Sequence, residues 1–318
     1  MQEKKPIIFY ILNFLILAAL AFSYVFFGCS VGIKIILCVM LTVLIYRYSY
    51  KDSALFVLTV FVFLAASYFM YIKSDVLNFI IVFLNVAILP IVTGYLFKKN
   101  CPYLTTFCIS SAANMLLTVA ELVKLKFFDK VDLLDVFIKS PVNSAFEPYT
   151  DILATYNLSI NDIVNSVSTF SPAVMIATAS TVALFYIVVS KRIISLIYKD
   201  NLNIGSFSEI KLKKSFGAVF AIVGLAIIFM PQSSFSDALI NIELVLSYAF
   251  FICGISFVDF YFKKTGLWIS VRIILYALAF LLLSVAGIFT LGILNPYTVL
   301  VMIAMFDTVH NYRKLDNQ

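Results

Sequence analysis

Three polar residues, Asn114, Thr118 and Glu121, stand at i, i+4 and i+7 in a run that is largely apolar from Tyr103 to Val123. On a helix that spacing puts an amide, a hydroxyl and a carboxylate on one face. Such a face suits hydrogen bonding and recognition of a polar or cationic solute. Asn85 lies near the middle of the preceding apolar run, and Pro90 beyond it removes a backbone donor and frees a carbonyl. An amide or carboxylate in hydrocarbon is costly unless a partner or water satisfies it. Two readings follow. Either Asn85, Asn114, Thr118 and Glu121 line a pocket open to the exterior, or Asn114 makes a helix-to-helix hydrogen bond while Glu121 reaches the headgroups.

Asp259 and Arg272 flank a short turn around Lys263, Lys264 and Gly266, each about a turn inside its helix. Antiparallel packing would bring them together as a structural ion pair. Asp307, His310 and Arg313 follow one another at i, i+3 and i+6, which suits surface docking or an ion pair. His310 is the single histidine, and no Walker, Gly-x-Ser-x-Gly or His-Glu-x-x-His motif occurs. No catalytic residue, cofactor site or metal site is therefore assigned, and the chain is not expected to be an enzyme. The five cysteines have neither CxxC nor metal-ligand spacing and read as small apolar side chains. Gly28-Cys29 after an apolar stretch has the outline of a lipoprotein signal. Phe26 and Phe27 stand where small residues are wanted there, and Ile7 to Phe27 is long enough to span, so it reads as a retained first transmembrane helix.

The elements that must position these residues follow from composition. Hydrophobic residues make up 63% of the 318 and charged residues 13%, with a mean hydropathy of +1.03, against about half and about a quarter in soluble domains. The bilayer is the solvent, and long apolar runs in lipid are helices. The expected fold is all-α: a polytopic transmembrane bundle of about ten spans (eight to ten), forming a single integral membrane domain over 1–318. The runs are Ile7 to Phe27, Val31 to Tyr46, Ser53 to Ile72, Val76 to Phe97, Tyr103 to Val123, Phe170 to Val189, Phe216 to Met230, Ile240 to Phe262, Leu267 to Ile288 and Leu291 to Phe306. The second, seventh and tenth are short for a full span.

Cations fall at the termini and in every second gap: Lys4 and Lys5, Arg47 and Lys51, Lys98 and Lys99, a cluster from Lys191 to Lys214 that includes Lys199, Lys263 and Lys264, and Arg313 and Lys314. The alternate gaps hold Lys34, Lys73, Lys124, Lys126, Lys130 and Lys139 against more acids. By the positive-inside rule both termini are cytoplasmic. The net charge of +6 is thus accounted for by topology, and no nucleic-acid partner is expected. The segment 124–169 is then extracytoplasmic, with two amphipathic helices. One has Ile160, Ile163, Val164 and Val167 on one face behind a Ser159/Asp162 capping box. The other, around Leu133, Leu134, Phe137 and Ile138, ends before Pro141. They pack on neighbouring spans or gate a cavity. The segment 190–215 reads as a basic cytoplasmic loop, an anchor that also meets anionic lipid.

Small residues four apart, Ala173/Ala177, Ala179/Ala183 and Gly217/Ala221, predict close helix approaches, with Ala19/Ser23 weaker. The stretch from Gly254 to Lys264 (GISFVDFYFKK), the Arg272 helix after it, and the closing Phe306 to Leu315 (FDTVHNYRKL) resemble the YybS-like, DUF2232 family of bacterial predicted membrane proteins. That family ends in an Asp, a few residues, an acidic or amide position, an aromatic and Arg-Lys. The outer amphipathic helix running into Pro172 is also similar, so the resemblance extends over the whole chain. It implies a bacterial cell membrane location and a remote similarity to the substrate-binding components of energy-coupling factor transporters. A transporter scaffold or ATPase module would then be the partner, beside the lipid bilayer itself. In those components an Ala-rich face of the first helix docks on the scaffold, and here that face is largely missing. Two functions stay open: solute binding or transport, and a membrane-structural or regulatory role that docks another membrane protein or lipid.

Overall fold

The computed structural model describes residues 7–72, 76–155, 158–198, 202, 204–231, 233–290 and 295–315. Of the predicted features, Lys4, Lys5, Lys73, Lys199 and the first four residues of the tenth run, 291–294, lie outside them. Among the described residues there are twelve α-helices and no strand: α1 (Ile7–Phe26), α2 (Val31–Arg47), α3 (Tyr50–Tyr71), α4 (Val76–Lys98), α5 (Tyr103–Phe127), α6 (Ser140–Phe146), α7 (Thr150–Thr155), α8 (Ile160–Tyr198), α9 (Lys214–Phe229), α10 (Ser234–Lys264), α11 (Ile269–Phe289) and α12 (Pro296–His310). The protein is all-helical, and six of these helices, α1, α3, α4, α5, α8 and α10, are long and apolar enough to cross a membrane. The remaining predicted runs fall on α2, α9, α11 and α12, with 17, 16, 21 and 15 residues. Helix starts are locally encoded: Ser49 accepts from the Asp52 N–H ahead of α3, and Asn295 from the Thr298 N–H ahead of α12, where Pro296 takes a first-turn position that needs no donor.

The chain forms two compact units, 1–133 with 178–204, and 134–177 with 205–318. In the first, α1 packs on α3, α2 on α4 and α4 on α5, around Leu17, Leu37, Leu41, Phe56, Leu64 and Phe97. Gly94 lets α4 approach α2: a Cβ there would stand 2.8 Å from Ile45 Cγ2 and 3.0 Å from the Thr42 carbonyl. At the end of the same helix the Lys98 ammonium donates to the Ile45 and Tyr48 carbonyls. It thus caps the C-terminus of α2, where carbonyls lack helical partners.

In the second unit α10 packs on α9 and α12, and α12 also meets α9 and α11. Its closest approach is at Gly254, where a Cβ would lie 2.3 Å from the Leu300 carbonyl oxygen of α12. By contrast a Cβ at Gly217 would meet nothing within 4 Å, so the Gly217/Ala221 pair makes no close approach here.

Three local expectations are corrected. The outer amphipathic segment and the next span form one continuous helix, α8, of 39 residues. Its start is the Ser159/Asp162 pair: Ser159 Oγ accepts from the Asp162 N–H, and the Asp162 carboxylate accepts from the Ser159 N–H. Pro172 is accommodated because Asn241 of α10 takes both backbone groups around it. Asn241 Oδ1 accepts from the Ala173 N–H (3.1 Å) and its Nδ2 donates to the Thr169 carbonyl (2.7 Å), a donor and an acceptor that would otherwise pair with each other along the helix. Second, helix does not end before Pro141. A π-turn over Asp135–Lys139 runs into α6 with Pro141 in its first turn, where a missing N–H costs nothing. Third, 190–215 is not a loop throughout. Helix α8 runs on to Tyr198 because Ile194, fully buried, continues its apolar side past Lys191 and Arg192. A single 3₁₀ turn, Phe207–Glu209, follows behind a Ser206/Glu209 capping box.

Candidate functional site

In the first unit Asn114 Nδ2 donates to the Ala179 carbonyl of α8 at 3.0 Å, a bond between two helices. Thr118 Oγ1 donates back to the Asn114 carbonyl at 3.1 Å, and Glu121 is exposed. On α4, Asn85 is half-buried and makes no hydrogen bond among the described residues. The Thr93–Ser110 hydroxyl pair (3.0 Å) sets the antiparallel register of α4 and α5, and by that register Asn85 stands level with Thr118. The four residues thus share a stretch of the α4/α5 interface, but none of them lines the large cavity of this unit.

That cavity, of about 1050 Å³, is a groove between α1, α2 and the last turns of α8. It is at the upper end of small-molecule sites, which run about 300–1,000 Å³. Its walls are aliphatic, among them Leu12, Val39, Met40, Val43 and Ile193. The polar groups gather at one end: Asn13, Arg47, Tyr48 and Tyr198. Asn13 Nδ2 donates to the Tyr48 hydroxyl (3.0 Å). The Tyr48 ring packs edge-on against Tyr10 (centroids 4.9 Å apart), whose hydroxyl faces Asp52 at 3.4 Å. The Arg47 guanidinium lies 4.8 Å over the ring of Tyr198, a cation–π contact. The arrangement is amphiphilic, with a long apolar channel closed by one cation and an aromatic, hydrogen-bonding cluster. Sequence reading assigned Arg47 to topology and passed over Asn13, although Asn13 is the one amide in the first apolar run.

The second unit holds two ion pairs of different kinds. Asp259 and Arg272 meet at 3.2 Å, both side chains 17–18% exposed, with Lys263 at 3.8 Å on the same carboxylate. Arg272 Nε also donates to the Leu267 carbonyl, which closes the turn between α10 and α11. The side chains of Arg313 and Asp307 are each 1% exposed and 2.8 Å apart. Around them every guanidinium donor is used: Nε and Nη2 on Asp307, Nη1 on the Ser208 carbonyl and the Ser256 hydroxyl, and Nη2 also on the Ile210 carbonyl. Arg313 is therefore an internal tie rather than a docking residue, while His310 is exposed. Among the described residues no three His, Cys, Asp or Glu side chains gather as a metal site.

No curated protein and no solved structure matches the chain. The family model described as "Predicted membrane protein (DUF2232)" matches residues 15–295, a stretch that takes in the α2 and α8 walls of the groove and the Asp259–Arg272 pair. The chain belongs to the DUF2232 family of predicted membrane proteins.

Proposed function

We propose that the chain is a ten-span protein of the bacterial plasma membrane, with both termini in the cytoplasm, that binds an amphiphilic small molecule in the groove between α1, α2 and α8. The span count rests on the six long helices together with α2, α9, α11 and α12, and the orientation on the cations in alternate gaps. The observation that carries the binding reading is the groove itself: about 1050 Å³, aliphatic along its length and polar at one end. Binding sites of this size bury most of a ligand's surface and use a few polar groups to orient it. A role as the binding component of a transporter is consistent with such a site, the energy coming from another subunit.

The test is to purify the full chain in mild detergent and identify retained molecules by mass spectrometry, beside a variant carrying Ile36→Trp and Ile197→Trp. Both residues line the groove and are exposed, so the indoles fill it without entering the packed core. An amphiphile retained by the parent and lost from the variant is the expected result. Identical retention in the two would overturn the reading. A second site, for a polar solute on the α4/α5 face, is favoured by one observation: among the described residues Asn85, level with Thr118, makes no hydrogen bond.

A further inference from the structure

Helix α2 lines the groove from Ile35 to Arg47, with Tyr48 just beyond it, and at 1.5 Å per residue this is about 20 Å. One leaflet contributes roughly half of a hydrocarbon core about 30 Å thick, so the groove has the depth of one leaflet and its interface. Polarity along it is one-directional. Ile35, Ile36, Val39, Met40 and Val43 come first, and Arg47 and Tyr48 only at the end, where Tyr198 closes α8. A wholly apolar ligand would leave that end unused. A soluble metabolite would leave the apolar length unused. The ligand that matches both has an acyl chain and a headgroup at the depth of the interface.

Charge selects among headgroups. Guanidinium binds phosphate through paired, charge-assisted hydrogen bonds, and Arg47 holds its place through the Tyr198 ring. Lys51 follows four residues later, in the first turn of α3, and Lys98, which donates to the Ile45 carbonyl of α2, adds a third cation near this end. Against them stands Asp52, which is engaged with Ser49 and Tyr10. Cations clustered at the interface attract anionic lipid.

We propose, resting on the amphiphile-binding reading above, that the occupant is one anionic glycerophospholipid of the cytoplasmic leaflet. Its acyl chain lies along Val39, Met40 and Val43, and its phosphate lies on Arg47. The experiment is native mass spectrometry of the full chain in detergent, titrated with phosphatidylglycerol or with phosphatidylcholine of the same chains. The parent protein is expected to hold phosphatidylglycerol about tenfold more tightly. Arg47→Gln removes that preference, bringing phosphatidylglycerol down to the level of phosphatidylcholine, and the Ile36→Trp/Ile197→Trp variant loses both adducts. If Arg47→Gln keeps the preference, or the parent shows none, the headgroup assignment is wrong while the groove remains a binding site. If the filled variant keeps both adducts, the lipid sits on the outer surface and the amphiphile reading falls with it. A melting curve for each variant separates loss of binding from loss of fold.

Discussion

Arg313 reaches back six residues to Asp307, and the pair lies almost fully buried beneath the Ser208 and Ile210 carbonyls and the Ser256 hydroxyl. The chain after α12 is thereby bound to α10 and to the strap before α9. Because a buried pair that loses one member leaves an uncompensated charge, Arg313→Ala or Asp307→Ala is expected to cost about 3–5 kcal/mol. Arg313→Lys does not rescue, since three donors on one nitrogen cannot reach four partners in different directions. Thermal melts in detergent check this; a loss below about 1 kcal/mol for either alanine would show that the tie is not made.

Asn241 and Pro172 form a testable couple. Asn241→Leu strands the Ala173 N–H and the Thr169 carbonyl, a loss of about 1–3 kcal/mol. Pro172→Ala restores a donor at that position and relaxes the helix so that these two groups pair with each other. In a double-mutant cycle Asn241→Leu is therefore expected to cost less in the Pro172→Ala background. Equal costs in the two backgrounds would mean that the amide does not serve the break.

Glycines that are alike in sequence separate by environment. Gly254→Ala drives a methyl into the Leu300 carbonyl oxygen and forces α10 from α12, so the melting temperature falls sharply. Gly217→Ala meets open space and gains about 0.5–1 kcal/mol from backbone entropy in a helix. The order of the two melting temperatures is the measurement, and the reverse order would contradict the contact at Leu300.

Asp259 and Arg272 are half-way cases, partly exposed and with Lys263 in reserve. Each alanine variant is expected to lower the melting temperature, and the double variant to cost less than the sum by about 0.5–3 kcal/mol. Strict additivity would separate the two residues.

Topology is checked with native cysteines. Cys29, in the turn after α1, is expected outside, and Cys101, after Lys98 and Lys99, inside. With the other four replaced by Ala, Cys29 labels with an impermeant maleimide in whole cells and Cys101 only after lysis. Burial pushes the Cys29 thiol up from its ordinary range, so its thiolate is scarcer at neutral pH and labelling speeds as pH rises. Labelling of Cys101 but not Cys29 in intact cells would invert the orientation.

Length and hydropathy alone located every long helix, because lipid obliges each segment to satisfy its own backbone and so writes the helix into a contiguous apolar run. Charge asymmetry indicated an orientation on the same one-dimensional basis. The ends of helices were less legible. Lys191 and Arg192 read as loop but ride on α8, and Pro141 read as a stop but opens α6, since a charge or a proline at a helix end is compatible with both. The partners of polar residues on helices distant in sequence were not legible. Asn114 finds the Ala179 carbonyl, Asn241 finds the break at Pro172, and Arg313 finds four separate groups, and each outcome depends on which helices face one another. Apolar surface attracts without direction, so hydropathy cannot say which face meets which. Contacts such as those at Gly94 and Gly254, and the register of the hydrogen bonds, make that choice, and it is the same choice that leaves a groove ending at Arg47.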